Sequence, residues 1–450
     1  MSAQILRAQL LPETGKPEQP AAIQAEPRVL RPDRRQIAMR ALDLDGFLPV
    51  DHRARVVWAW VEAQDLSRLY GAIKARGSVA GRAAIDPAVL LALWLYALID
   101  GVGSAREVER LVEQDLAYMW LAGEVGVNYH ALSDFRSGHE ALVDQLLTCS
   151  VVALQAQGLV QLEALAVDGV RVRANAGGSS FRRRATLDKL EREALQRVAE
   201  LKGKLGDGPA VDKRRAAAAE RAARERSEQI TSAKQELAAR EARRAQKNTS
   251  KNGKQQGEAR ASTSDPDARV MKMADGGFRP AYNVQVITDP ASGFIVGTAI
   301  DTTGSDRGLL RKALDKVKQT YNKVPKLILA DGGYFAAPDI EWVHGQTPII
   351  TTYVPLTTSK HGTDPCTPRS NDGPGVAALR QRMQGEEGKT IYKLRSPAEL
   401  PHARLRNTGL SQFVLRGASK ARIQATWAAL ASNLIIYIGL KRKTTAAATV

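Results

Sequence analysis

Cysteine is almost missing from this chain of 450 residues: Cys149 and Cys366 are its two. Two thiols build neither a disulfide framework nor a Cys-rich zinc site, and they suit a reducing cytosol. Aromatic residues are scarce at 5%. The longest apolar run, Leu90 to Ile99, is about half of the roughly 20 residues that cross a bilayer. The first residues are Pro-rich and charged, unlike a signal peptide. These absences argue against a secreted protein, an integral membrane protein and a small disulfide scaffold. Acidic residues are also in deficit, 48 against 65 Lys and Arg, for a formal charge of +17. A surplus of that size calls for a polyanion, either nucleic acid or a membrane surface. With 44% hydrophobic and 25% charged residues the chain is globular, and its length points to two or three domains.

Residues 1–40 carry Pro12, Pro17, Pro20, Pro27 and Pro32 and read as a mobile arm. Residues 41–158 read as a helical domain. Asp86-Pro87 is an N-cap followed by proline at the first helical position, and Ser104 with Glu107 has capping-box spacing. A further helix is expected over Ser133–Gln157, with Leu142, Val143, Leu146 and Leu147 on one face. Such a domain can bind DNA or can simply pack. From 159 to 440 the pattern is mixed α/β. Strands are expected at Leu162–Val167, Tyr282–Thr288, Phe294–Ile300, Lys326–Ala330 and Ile349–Val354. Helices are expected at Asp306–Thr320, Pro338–His344 and Ala418–Leu440. Residues 355–390 look irregular, and 441–450 form a polar tail. An insert at about 181–262 breaks the first strand from the second. Over 181–260 it holds 22 Lys and Arg against 12 Asp and Glu, with Phe181 its one aromatic residue. Leu187, Leu190, Ala194, Val198 and Leu201 recur at helical spacing, so the insert reads as a helical hairpin. The bland reading is a solvated charged hairpin; the one-signed excess favours a DNA-facing element. A membrane-surface protein would need aromatic anchors that this insert lacks.

Three carboxylates stand out. Asp168 follows Ala164-Leu-Ala-Val, and Asp331 follows Leu327-Ile-Leu-Ala; each precedes glycine. Either one alone is an ordinary Asp-Gly turn. If the two strands are parallel neighbours, however, both carboxylates leave the same sheet edge, where sites of open α/β sheets lie. Close carboxylates repel unless a cation sits between them, and hard oxygen ligands suit Mg²⁺ or Mn²⁺. The third, Glu399, lies in Ser396-Pro-Ala-Glu399, again with capping-box spacing. Pro401 conflicts with a helix running through that point and leaves open a helix that starts near it.

The stretch Tyr392-x2-Arg395-x3-Glu399-x6-Arg406 resembles the Tyr-x2-Arg-x3-Glu-x6-Lys signature of the DDE transposases of bacterial insertion sequences. The Asp168 and Asp331 segments are similar to that family's first two acidic motifs. Asp265-Pro-Asp-Ala-Arg-Val-Met271 and Tyr282-Asn-Val-Gln285 resemble the approach to its second strand. Residues 50–158 look like the N-terminal domain of InsH-type transposases. The departure is Arg406 in place of Lys, which keeps the charge but with fork geometry. The resemblance implies a ribonuclease-H-like α/β catalytic domain with a helical basic insert, preceded by an all-helical DNA-binding domain. It implies that Asp168, Asp331 and Glu399 are catalytic and hold two Mg²⁺ or Mn²⁺ ions. Tyr392, Arg395 and Arg406 would then hold DNA phosphates. The implied partners are double-stranded terminal inverted repeats and target DNA, engaged by a cytoplasmic homodimer. A metal-dependent nuclease or resolvase on the same fold, and an inactive DNA-binding relative, are the alternatives.

Overall fold

Residues 43–76, 83–203, 210–248, 258–356 and 364–448 are described in the structure, a computed structural model. The arm expected over 1–40 lies outside them, as do residues 204–209 within the insert. Short helices come first: α1 (Leu44–Phe47), α2 (Arg53–Glu62) and α3 (Ser67–Ala72). α4 (Pro87–Ile99) starts where its signals place it, with the Asp86 carboxylate accepting the Ala88 N–H at 2.8 Å. Leu91 to Leu95 are buried on all sides, so α4 is a core helix without a polar face. α5 (Ala105–Gln114) is capped by the Ser104 hydroxyl, which accepts from the Glu107 N–H. α6 (Leu116–Ala122), α7 (Tyr129–Gly138) and α8 (Glu140–Ala156) follow. The single helix expected over Ser133–Gln157 is thus two, because the backbone leaves helical geometry at His139 (φ −120°, ψ 52°).

The remaining elements are β1 (Ala164–Arg173), β2 (Phe181–Arg182), α9 (Arg184–Gly203), α10 (Ala210–Asn248), β3 (Ala261–Ser262), β4 (Arg269–Lys272), β5 (Phe278–Thr288) and β6 (Ile295–Asp301). Then come α11 (Leu310–Tyr321), β7 (Leu327–Ala330), α12 (Ala337–His344), β8 (Thr351–Tyr353), α13 (Pro374–Gln384), α14 (Glu386–Lys393), α15 (Leu400–Asn407) and α16 (Ala418–Ala448). The main sheet runs β4-β5-β1-β7-β8, with β6 sharing the outer edge of β5 with β4. β5 is antiparallel to β1, β4 and β6, whereas β7 is parallel to β1 and β8.

Four expectations need correcting. β1 does not stop at Asp168: its ladder with β5 runs on to Arg173↔Ala281, so Asp168 lies mid-strand. α11 starts at Leu310, and Asp306 stays in the preceding loop. Residues 355–390 contain α13 and α14, and α13 buries Val376, Leu379 and Met383 at helical spacing. The last helix passes Lys441 and ends at Ala448.

By length and composition Ala418–Thr444 could cross a membrane, but 72% of its apolar window is buried within the protein. α16 is a core helix. Asn433 bonds both the N–H and the carbonyl of Ile295 on β6, each at 2.8 Å, and Trp427 donates to the Arg136 carbonyl at 3.2 Å. Arg422 pairs with Glu140 and Asp144 of α8. These contacts join the N-terminal helices to the sheet, and Leu44–Val450 forms one compact unit.

Within the insert, α9 and α10 pack against each other. Leu187, Ala194 and Leu201 of α9 and Ile230, Ala233 and Leu237 of α10 are buried. Leu187, Ala233, Leu237, Ala259 and Ala261 form a cluster separate from the main core. At 1.5 Å per residue, α10 is roughly 58 Å long. Arg240 anchors the hairpin base, donating to the carbonyls of Arg260, Pro266 and Ala268. Because the two cores are separate, replacing Arg184–Asn248 by a short Gly/Ser linker should leave a protein with one cooperative thermal transition and a reduced helical circular-dichroism signal. Loss of the cooperative transition would show that the main core depends on the hairpin.

Candidate active site

The parallel register of β1 and β7 pairs Val167 with Ala330. The next residues are Asp168, still within β1, and Asp331, the first past the end of β7, so the two aspartates stand side by side there. On its other flank Asp168 is paired with Val286 of β5. Asp168 is buried, 9% exposed. Its Oδ1 accepts the Gly169 N–H at 2.9 Å, and its Oδ2 accepts from Arg395 Nη2 at 2.7 Å. Burial pushes the Asp168 carboxyl up to about 6; Arg395 works against this, and Asp331 and Asp306 add to it. Burial and two acidic neighbours thus outweigh one guanidinium.

His402, in the first turn of α15, places Nδ1 3.8 Å from the same Oδ2. Burial, then Arg406 and Arg395, hold this imidazole down to about 4. At neutral pH it is uncharged and forms no ion pair with Asp168. Its Nε2 is buried and has no hydrogen-bond partner.

Asp331 Oδ1 accepts the Gly333 N–H at 2.7 Å and so caps the short 3₁₀ turn Gly332–Tyr334. Tyr334 is fully buried, and its hydroxyl donates to Gln285 Oε1 on β5. Gln285 Nε2 in turn donates to Asp306 Oδ1 at 2.9 Å, and Asn283 Nδ2 donates to the same oxygen at 2.7 Å. A Cβ on Gly169 would lie 2.3 Å from Asp306 Oδ1. Glycine is therefore needed at 169 for the close approach of a carboxylate, and the Asp-Gly turn reading of Asp168 does not hold.

The structure brings together Asp168, Asp331, Arg395 and Tyr392, the last hydrogen-bonded to Arg395. Arg406 is exposed on α15 and reaches this group through its charge on His402. Glu399 closes a 3₁₀ turn, Ser396–Glu399, that packs against β1. α15 begins at Leu400, so a helix starting near Pro401 is the reading that holds. The Glu399 side chain lies outside the described residues. Among the described residues, no three His, Cys, Asp or Glu side chains stand as a ready metal-holding group. Sequence reasoning missed Asp306 and His402. For Asp306 a signal existed: Asn283 and Gln285 put polar side chains on one face of an otherwise apolar strand.

Residues 249–434 match the model of the transposase DDE domain, and residues 42–138 match that of a transposase domain (DUF772). Two regions of the chain are thus similar to domains of transposases. No curated protein and no solved structure matches the chain. The DDE-domain match begins beyond the hairpin, so β1 and Asp168 lie ahead of it, while Asp306, Asp331 and the Tyr392–Arg406 stretch lie inside. The transposase-domain match covers α1 to α7.

The raised Asp168 carboxyl has a thermodynamic consequence. The folded protein holds this proton more tightly than the unfolded chain, whose aspartates titrate near 4. With a chelator present, stability should therefore fall as pH rises from about 4 to about 6. Asp168→Asn removes the titration and should be about 3 kcal/mol more stable than wild type at pH 7. The difference should vanish below about pH 4. Urea unfolding at both pH values checks this, and equal midpoints at pH 7 would refute it.

Proposed function

We propose that the chain is the DDE transposase of a bacterial insertion sequence, acting in the cytoplasm. It binds the terminal inverted repeats as a homodimer, cleaves there, and joins the 3′ ends to target DNA. The observation that carries this reading is the placement of Asp168 and Asp331 side by side on parallel strands, with the turn that ends in Glu399 packed on the same strand. The strand order β6-β5-β1-β7-β8, antiparallel over the first three and parallel over the rest, supports a ribonuclease-H-like domain.

DDE transposases are generally divalent-metal-dependent, and the residues here fit. Hard carboxylate oxygens suit Mg²⁺ or Mn²⁺, and the Asp168 carboxylate, raised first by burial and further by two acidic neighbours, is only partly compensated by Arg395. Asp168, Asp331 and Glu399 would hold the ions. Bound there, two such ions would supply Lewis acidity toward the attacking water or 3′-hydroxyl and toward the departing oxygen. The chain's own residues do the positioning. Arg395, tethered by Asp168, sets a cation beside the place where a phosphate must lie, and arginine has no lone pair with which to bind a metal. Tyr392 holds Arg395, and Arg406 adds an exposed positive charge. The helices of 41–158 are read as a DNA-binding domain.

The hairpin adds a second basic surface. Its acids are used internally, as in Arg184–Glu241, Lys234–Asp188, Arg224–Glu220 and Arg240–Glu236. Lys213, Arg214, Arg215, Arg221 and Arg226 are exposed along α10 and can meet phosphates.

Asp168→Ala, Asp331→Ala and Glu399→Ala should each abolish Mg²⁺-dependent nicking of a terminal-repeat duplex while leaving its binding largely intact. Wild-type nicking by Glu399→Ala would return that residue to a purely local role. A strand-transfer assay with pre-cleaved ends separates a transposase from a nuclease that cuts and does not join. Removing the hairpin should flatten the dependence of log affinity on log salt by roughly 0.9 for each DNA phosphate that the shortened protein leaves unneutralised. An unchanged slope would reject its DNA-facing role.

A further inference from the structure

We propose that Asp306 is a fourth acidic residue of the Asp168–Asp331 centre, a positioning residue whose uncompensated carboxylate strengthens divalent-cation binding there. This rests on the metal-dependent reading above. Asp306 sits in the loop between β6 and α11, yet its carboxylate leaves that loop and lies over the backbone of Gly169, next to Asp168. A Cβ at Gly333, two residues past Asp331, would lie 3.9 Å from its other oxygen. Asp306 therefore lies against Gly169 and faces the turn that follows Asp331.

Its hydrogen-bond donors, Asn283 and Gln285, are neutral amides. They fix the carboxylate without cancelling its charge. Gln285 also accepts from Tyr334, in the turn capped by Asp331. The chain Asp306–Gln285–Tyr334 thus links β5 and the β6–α11 loop to the exit of β7. Among the described residues, the guanidinium bonded to this group of three carboxylates is that of Arg395, and the excess of negative charge favours a divalent cation.

A second observation points the same way. Asn283 is 1% exposed, and its Oδ1 has no hydrogen-bond partner. Turning the amide over would satisfy nothing, because it would set Oδ1 against the Asp306 carboxylate. Leaving a buried carbonyl oxygen unpaired is unfavourable. That oxygen opens onto the same gap: a Cβ on Gly169 would lie 3.0 Å from it. β5 accepts this unpaired oxygen in order to keep its amide on Asp306, and a cation or its water shell supplies what the oxygen lacks.

The test is a Mn²⁺ titration of the full-length protein, reading free Mn²⁺ by its paramagnetic resonance signal, with metal-free melting temperature as a control for the fold. Asp306→Asn keeps the shape and removes the charge. It should weaken Mn²⁺ binding about tenfold while melting close to wild type without metal. Asp168→Asn should abolish binding. If Asp306→Asn binds Mn²⁺ as wild type does while Asp168→Asn does not, the inference about Asp306 is wrong and the metal-dependent reading stands. If wild type and Asp168→Asn behave alike, that reading fails and this inference fails with it. Should Asp306→Asn not fold, Asn283→Ser removes one of the two donors and should weaken binding about threefold; unchanged binding rejects the proposal.

Discussion

The Asp168 carboxylate is buried at mid-strand, where it has little access to water, and the structure around it is organised by that constraint. Arg395 answers it from a segment 227 residues away in the chain. The side chains that crowd the same oxygen also determine one another's charge: His402 stays neutral because it is buried close to Arg395 and Arg406. The Asp168 carboxyl nevertheless remains raised, because compensation by Arg395 is incomplete. Incomplete compensation is what a cation-binding site requires and what a purely structural ion pair avoids.

Holding that geometry needs a rigid frame, and α16 provides it. Through Asn433 it closes on the backbone of β6, and through Trp427 and Arg422 it closes on α7 and α8. Trp94 of α4 adds a buried bond to the Leu132 carbonyl. The region matched to the transposase domain and the sheet therefore share one hydrophobic core and do not meet through a solvated linker. The hairpin is built on the opposite principle. It has its own small cluster, ion pairs along its length and a single buried arginine at its root. A long basic arm of this kind can be carried by a domain without disturbing the core that holds the carboxylates.

Much of this was legible in the sequence. Capping residues placed the start of α4 and α5, and leucine and alanine spacing revealed the hairpin and its two helices. The Asp-Gly repeats pointed to two strands that become neighbours, and the Tyr392–Arg406 stretch contains the arginine that the fold brings to Asp168. These signals are local: a cap acts over three residues, and a helical face repeats every three or four. What only the tertiary structure decided is non-local. The parallel register that sets Asp168 beside Asp331 depends on β7 entering the sheet next to β1, although the hairpin and three further strands of the sheet separate the two in the chain. The length of β1 depends on its ladder with β5, across the whole insert. Asp306 looked like the first residue of a helix; it became part of the site because Gly169 lacks a side chain and two amides of β5 reach it. Periodicity and capping act between residues close in the chain, whereas strand register and carboxylate burial are settled by packing between segments that the chain brings together only when it folds.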